Sequence, residues 1–389
     1  MRSETAAWAG LVTVALALVL STGEARAQSC PANDRWPSPD WPSRTEEFAR
    51  TRGEQIRALE EYAFTLQGAD EDRIGVRTDG VVVIHRGEIV YERYARGFTA
   101  EKRHLAWSVS KSFINALVGR GVLLGELAVE DSICKHAPDL PESHCGITLR
   151  HLLEFASGLD WKETYEGQSN QASSVLAMLY GKGWRDMAAF VASHAPRDPP
   201  GESWAYSSGD TTLLSSVIGR TLSAKHGERW PWVLLFDRIG MRRATWERDA
   251  KGNLVGSSYL YAPPRELAKL GYLYLHGGCW NGERLLPEDW IARSTQVSEP
   301  LLKKPLYRDA GDVQGWQFWL NRPVPSLDGD ARPHEDLPED MYAARGHWGQ
   351  QISVYPSEDL VVVRVADDRD GSFDFNRFGA LVLAMVRAP

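Results

Sequence analysis

Strand character sits at the two ends of this chain and is nearly absent from its middle. On the N-terminal side, Val81-Val82-Val83-Ile84 and Ile89-Val90-Tyr91 are β-rich runs joined by His85-Arg86-Gly87-Glu88, where Gly87 permits a tight turn, so the segment reads as a hairpin. Toward the C terminus, Gln314 to Leu320, Tyr342 to Trp348, Gln351 to Tyr355 and Leu360 to Ala366 also read as strands. From about Leu123 to Arg293 the pattern is mostly helix and loop. Thr148 to Phe155 starts on a capping threonine, Thr211 to Leu222 is a second helix, and Pro263 to His276 has Pro at its start and Gly277 at its end. Two helices frame the whole: an amphipathic one from Thr45 to Phe64, apolar at Phe48, Ile56, Leu59, Tyr62 and Ala63, and a final one from Phe375 to Met385. Strands at both ends with helices between them imply one sheet built from the two ends, flanked by helices, with the middle inserted as a mainly helical lobe. The expected class is therefore α+β, with residues 28–122 and 310–389 forming the sheet unit and 123–309 the lobe. Clefts between such units are common places for active sites.

The first residues read as an export signal: Arg2, then an apolar stretch from Ala6 to Leu20, then Ala25-Arg26-Ala27 as a cleavage pattern. The apolar stretch is shorter than the ~20 residues of a spanning helix, so no stable membrane anchor is expected and the mature chain would start near Gln28 in the periplasm or outside the cell. Removing residues 1–27 takes equal numbers of acidic and basic groups and keeps the net charge of −8, which argues against nucleic acid as a partner. All four cysteines survive cleavage into an oxidising compartment. Cys134 and Cys145 flank a proline-containing loop and favour one bridge, and Cys30 with Cys279 would complete the set, although four cysteines allow three pairings. Neither C-x-x-C nor H-E-x-x-H spacing is present to suggest a metal site. The sequence carries no signal for oligomeric state.

Chemistry concentrates at Ser108-Val109-Ser110-Lys111, a Ser-x-x-Lys that opens a helix with Phe113, Ile114, Leu117 and Val118 as its apolar stripe. Residues three apart share a helix face, so the Lys111 amine can reach the Ser108 hydroxyl and take its proton. The plain alternative is an N-cap serine beside a solvated lysine. A second match, Ser132-Ile133-Cys134-Lys135, sits beside Glu130-Asp131 in a surface-like, proline-bearing loop. Gly201-Glu202-Ser203-Trp204-Ala205 approaches a nucleophile elbow but follows Pro199-Pro200 where an elbow requires a strand. Two further groups complete the candidate set. Tyr206, in Tyr206-Ser207-Ser208, could relay a proton if a nearby ammonium made its phenol easier to ionise. In His347-Trp348-Gly349-Gln350, Gly349 would let substrate approach the strand, and the Gln350 amide would join that of Ser108 in an oxyanion hole.

The order of Ser108-x-x-Lys111, Thr148-Leu149-Arg150-His151-Leu152-Leu153 with Ser157-Gly158-Leu159, Pro200-Gly201 before Tyr206-Ser207-Ser208, and Gly346-His347-Trp348-Gly349-Gln350 resembles the serine beta-lactamase-like superfamily. The nearest branch looks like class C beta-lactamases, family VIII carboxylesterases and 6-aminohexanoate-dimer hydrolases. Tyr259 to Tyr274 and Gly282 to Pro287 also look like that branch, and the likeness runs from about Gly80 to Ala384. It implies a beta-lactamase-like fold with Ser108 acylated, Lys111 as its base, Tyr206 passing a proton to the leaving group, and no metal or organic cofactor. Two departures stand out: Ser208 where beta-lactamases carry Asn, and His347 where they carry Lys, which weakens anion binding. Trp161, Tyr165 and Trp184 follow Gly158, where nylon-oligomer hydrolases carry a substrate-covering loop, and Tyr165 matches best by position. With Tyr165, His347, Trp348 and Gly349 lining the pocket, the expectation is an exported serine hydrolase acting on a small-molecule amide or ester. A D-alanyl-D-alanine peptidase and a non-catalytic binding module are the alternatives.

Overall fold

The computed structural model describes residues 30, 35–37, 40–167, 169, 172–306, 312–325 and 331–388. The expected signal segment, residues 1–27, lies outside them. The two chain ends meet in one antiparallel six-stranded sheet whose order is Glu88–Tyr94, Thr78–His85, Leu360–Ala366, Gln350–Tyr355, Tyr342–Gly346 and Trp319–Leu320. Its hairpin turns at Arg86 and Gly87, both at positive φ (53° and 78°), which suits the right-handed twist of the strands it joins.

Alternation along the strands sorts two cores. Val81, Val83 and Val362 face the helices Gly53–Phe64 and Phe375–Arg387, while Val82, Ile84, Val361 and Val363 face the larger core with the helices Val109–Leu123 and Pro264–Leu275. Gly271 allows the last of these helices to lie flat on the sheet, because a Cβ there would come within 2.6 Å of Val361 Cγ1 and 2.8 Å of Ile352 Cγ2. The cysteines pair as Cys30–Cys279 and Cys134–Cys145. No helix among the described residues is long and apolar enough to cross a membrane.

Three expectations need correction. The helix expected from Thr45 to Phe64 is two helices, Thr45–Thr51 and Gly53–Phe64, because Arg52 leaves helical geometry (φ −124°, ψ 25°) and Gly53 follows it. The apolar run from Gln314 to Leu320 supplies only Trp319–Leu320 as strand, since Gly315 lies against Ser294 and Gln317 turns through φ 64°. The strand expected to reach Trp348 stops at Gly346. The middle of the chain also holds short strands, His104–Leu105 with Leu260–Ala262 and Thr245–Trp246, and Cys279–Trp280 with Glu283–Arg284. Pairs this short carry too little pattern to be read from sequence.

Candidate active site

The helix Val109–Leu123 is buried nearly all round, not along one stripe, and its N-terminus points into a cleft between the sheet edge and the helical middle of the chain. Trp107, at φ 50°, turns the chain sharply so that Ser108 stands at the helix start. Ser108 makes no side-chain cap. Its Oγ instead accepts a hydrogen bond from Lys111 Nζ at 2.8 Å. The same ammonium donates to Ser208 Oγ at 2.9 Å and to the Ser257 carbonyl at 3.1 Å. Lys111 is 2 % exposed, so the solvated lysine of the plain alternative is not what folding produces. Desolvation pushes its pKa down to about 8, against an opposing pull from the Glu163 carboxylate.

Tyr206 stands beside this pair, with Lys111 Nζ 5.0 Å from the ring centroid. Its phenol does not become easier to ionise. Burial first, then Glu163, push its pKa well above the ordinary value, while the Ser108 hydroxyl pulls the other way. Tyr206 is therefore a protonated phenol, able both to donate and to accept. The helix Ser208–His226 begins directly after it, with Ser207 Oγ accepting from Asp210 N as the cap. Asp210 is buried and accepts from Ser157 Oγ (2.8 Å) and Ser207 Oγ (2.9 Å), tying the Ser157-Gly158 turn to the tyrosine segment. Burial raises its pKa to about 7.

The third motif lies differently from its expectation. A Cβ on Gly349 would strike Asp368 and Arg364, and the Gln350 side chain bonds the carbonyls of His347 and Ala366 at 3.0 and 2.7 Å. Neither residue lines the cleft. The glycine pressed against Ser108 is Gly346, where a Cβ would fall 2.4 Å from the Ala106 carbonyl and 3.2 Å from Ser108 N. The cause is the strand register: Gly346 pairs with Gln350, and His347 to Gly349 form a tight turn with Trp348 at φ 59°. The backbone beside Ser108 N is that of Gly346, and His347, which follows it, lines the cleft.

Tyr165 and His347 do meet, stacked at 4.8 Å with 27° between their planes. His347 Nε2 and Trp348 Nε1 contact Glu166 at 2.6 and 3.0 Å, and burial lowers the imidazole pKa. Trp161 is buried and lines the cleft, whereas Trp184 is 48 % exposed and lies outside it. Sequence reasoning missed Glu163. It accepts from Ser208 N (2.9 Å), Ser208 Oγ (2.6 Å), Trp161 Nε1 (2.5 Å) and Tyr165 OH, and so gathers the loop from Trp161 to Tyr165 and the tyrosine segment on one carboxylate. An acidic residue in a polar loop has no pattern that would mark it; its place between Trp161 and Tyr165 was the available signal. Asp312 and Arg345, which also line the cleft, were missed as well, Arg345 because it sits within the strand Tyr342–Gly346. Among the described residues no cluster of His, Cys, Asp and Glu could hold a metal ion.

A family model described as beta-lactamase matches residues 63–384. A 6-aminohexanoate-dimer hydrolase of Paenarthrobacter ureafaciens is 26% identical over 250 residues, which is 62% of this chain and 63% of that protein. Among solved structures, a Bacillus anthracis protein provisionally named a 6-aminohexanoate-dimer hydrolase superposes with TM-score 0.63 at 21% identity, over 92% of this chain and 88% of that one. EstCE1, a hydrolase with promiscuous acyltransferase activity, superposes with TM-score 0.60 at 14% identity, over 87% of this chain and 98% of its own. The structural likenesses carry the fold.

Proposed function

The chain belongs to the beta-lactamase family and has its hydrolase fold, and from that premise we propose that it cleaves a small amide or ester through an acyl-enzyme on Ser108. One observation carries this reading: Lys111 Nζ lies 2.8 Å from Ser108 Oγ in a dry setting that holds its pKa at about 8, so a neutral amine is within reach at working pH. In the first step Ser108 Oγ bonds to the substrate carbonyl carbon and its proton passes to Lys111 Nζ. The carbonyl electron pair moves onto oxygen, facing the amides of Ser108 and His347 at the positive end of the helix. Collapse breaks the bond to the leaving nitrogen or oxygen, which takes a proton from the Tyr206 phenol, replenished from Lys111. Water then attacks the acyl carbon, releases the acid and returns the proton to Ser108.

Ser208 and His347 replace groups that help bind the beta-lactam amide and carboxylate, and burial lowers the His347 pKa, which disfavours the imidazolium that an anion would need. Turnover of nitrocefin should therefore fall well below that of simple esters. The Cys30–Cys279 and Cys134–Cys145 bridges support an exported protein, periplasmic or secreted after cleavage near Ala27. The test of the nucleophile is covalent labelling with a fluorophosphonate and peptide mapping. Label on the Ser108 peptide is expected, and label on Ser132 or Ser203 would overturn the assignment.

A further inference from the structure

Two cavities meet at Ser108, and they differ in chemistry. The larger, about 530 Å³, is lined by Tyr206, Glu163, Asp312 and Arg345 among others. The smaller, about 210 Å³, is walled by Trp107, Val175, Leu176, Leu179 and Trp348. Tyr165 and His347 line both, so their stacked rings form the partition. Acyl transfer cuts a substrate at the carbonyl carbon bonded to Ser108, and the two halves must leave that atom in different directions. The leaving half has to lie toward its proton donor. Tyr206 lines the larger cavity and not the smaller.

We infer that the smaller cavity is the acyl subsite and that it takes an uncharged apolar acyl group, a chain of about six carbons or a single ring. This rests on the Ser108 reading above. The size follows from apolar cavities of about 150 Å³ being able to hold benzene. The character follows from the walls, which come from the helix Ser174–Tyr180 on one side and two indoles on the other. Among the described residues lining this cavity, Glu166 carries the acidic charge. Its carboxylate is already engaged by His347 and Trp348 and its side chain is 60 % exposed, so its pull on a substrate cation is screened by water.

The test is a series of p-nitrophenyl esters, in which the leaving group is constant and the acyl group alone changes: acetate, butyrate, hexanoate, octanoate and 6-aminohexanoate. The kcat/KM for hexanoate should exceed those for acetate and for 6-aminohexanoate by about tenfold or more, since each well-packed methylene can be worth that much. Leu176, half-buried on the cavity wall, provides the variants. Leu176→Trp should cut the hexanoate-to-acetate ratio about tenfold, and Leu176→Ala should move the optimum to octanoate. Both readouts are ratios and do not depend on how much enzyme is folded. A flat acyl series, a preference for 6-aminohexanoate, or ratios untouched by both variants would overturn the subsite. Ser108→Ala assayed in parallel separates the two claims: if it silences every ester while the series is flat, the subsite alone falls, and if it retains wild-type turnover, the nucleophile and the subsite fall together.

Discussion

Two Ser-x-x-Lys segments of the same chain, identical as patterns, end in opposite environments. Ser108 is spared from capping its helix and faces a lysine that is 2 % exposed; Ser132 caps the helix Ile133–His136 through Cys134 N, and its own Oγ donates to the Cys145 carbonyl at 2.7 Å. Lys111 has three neutral partners, whereas Lys135 is 62 % exposed and pairs with Asp131 at 2.6 Å. Water and a carboxylate stabilise the Lys135 cation, while desolvation makes the Lys111 cation costly. The spacing only brings an amine near a hydroxyl. Whether the amine is a base depends on what the rest of the fold removes from around it.

That contrast can be broken by experiment. The largest effect belongs to Ser108→Ala, which should lower kcat/KM on p-nitrophenyl esters by about 10⁴-fold or more. Ser132→Ala should leave turnover within about twofold and cost about 1 kcal/mol of stability in a denaturation curve, as a lost cap does; equal losses of activity would end the distinction. Next comes Lys111→Ala, with an expected fall of about 10²- to 10⁴-fold as for a lost general base, against no change for Lys135→Ala. Ser208→Ala removes an acceptor for Lys111 and a donor to Glu163, and should cost about tenfold in kcat/KM, in line with one charge-assisted hydrogen bond.

The pH profile sharpens the comparison further. Lys111 must be neutral to act, so kcat/KM should climb as pH rises toward about 8 and level off above it. Glu163 favours the charged form of Lys111, so Glu163→Gln should move that limb to lower pH. An unmoved limb, or one moved upward, would separate Glu163 from the base. The smallest effect belongs to the exposed pair, where Lys135→Ala should change stability by about 0.5 kcal/mol or less.

Much of the site was legible because its parts carry strong local marks. Ser108 and Lys111 lie one helical turn apart. Tyr206 follows a Pro-Gly turn and precedes a helix that was readable from Thr211, although it begins at Ser208. Which glycine of the third motif lies against Ser108 was not legible. Gly346 and Gly349 both stand near the end of one apolar run, and only the pairing of Gly346 with Gln350 shows which of them meets Ser108. Glu163 had only its place between Trp161 and Tyr165 as a mark, and the Ser208 donors that complete its role come from 45 residues along the chain. The fold followed the same division. Long β-branched runs and capped helices were readable, while the break at Arg52 and the two-residue strands of the middle were set by their neighbours.

What the sequence determined by itself is what short-range periodicity and residue chemistry can encode: strands at both ends, helices between them, and a serine, a lysine and a tyrosine in an order that points to acyl transfer. What only the tertiary structure decided is which of two equal serine–lysine pairs is buried, which glycine lies against Ser108, and how Tyr165 and His347 stand between two cavities, the larger of which carries Glu163, Asp312 and Arg345. The reason is physical. Desolvation, strand register and cavity shape are sums over atoms that are distant in the chain, and no local pattern carries them.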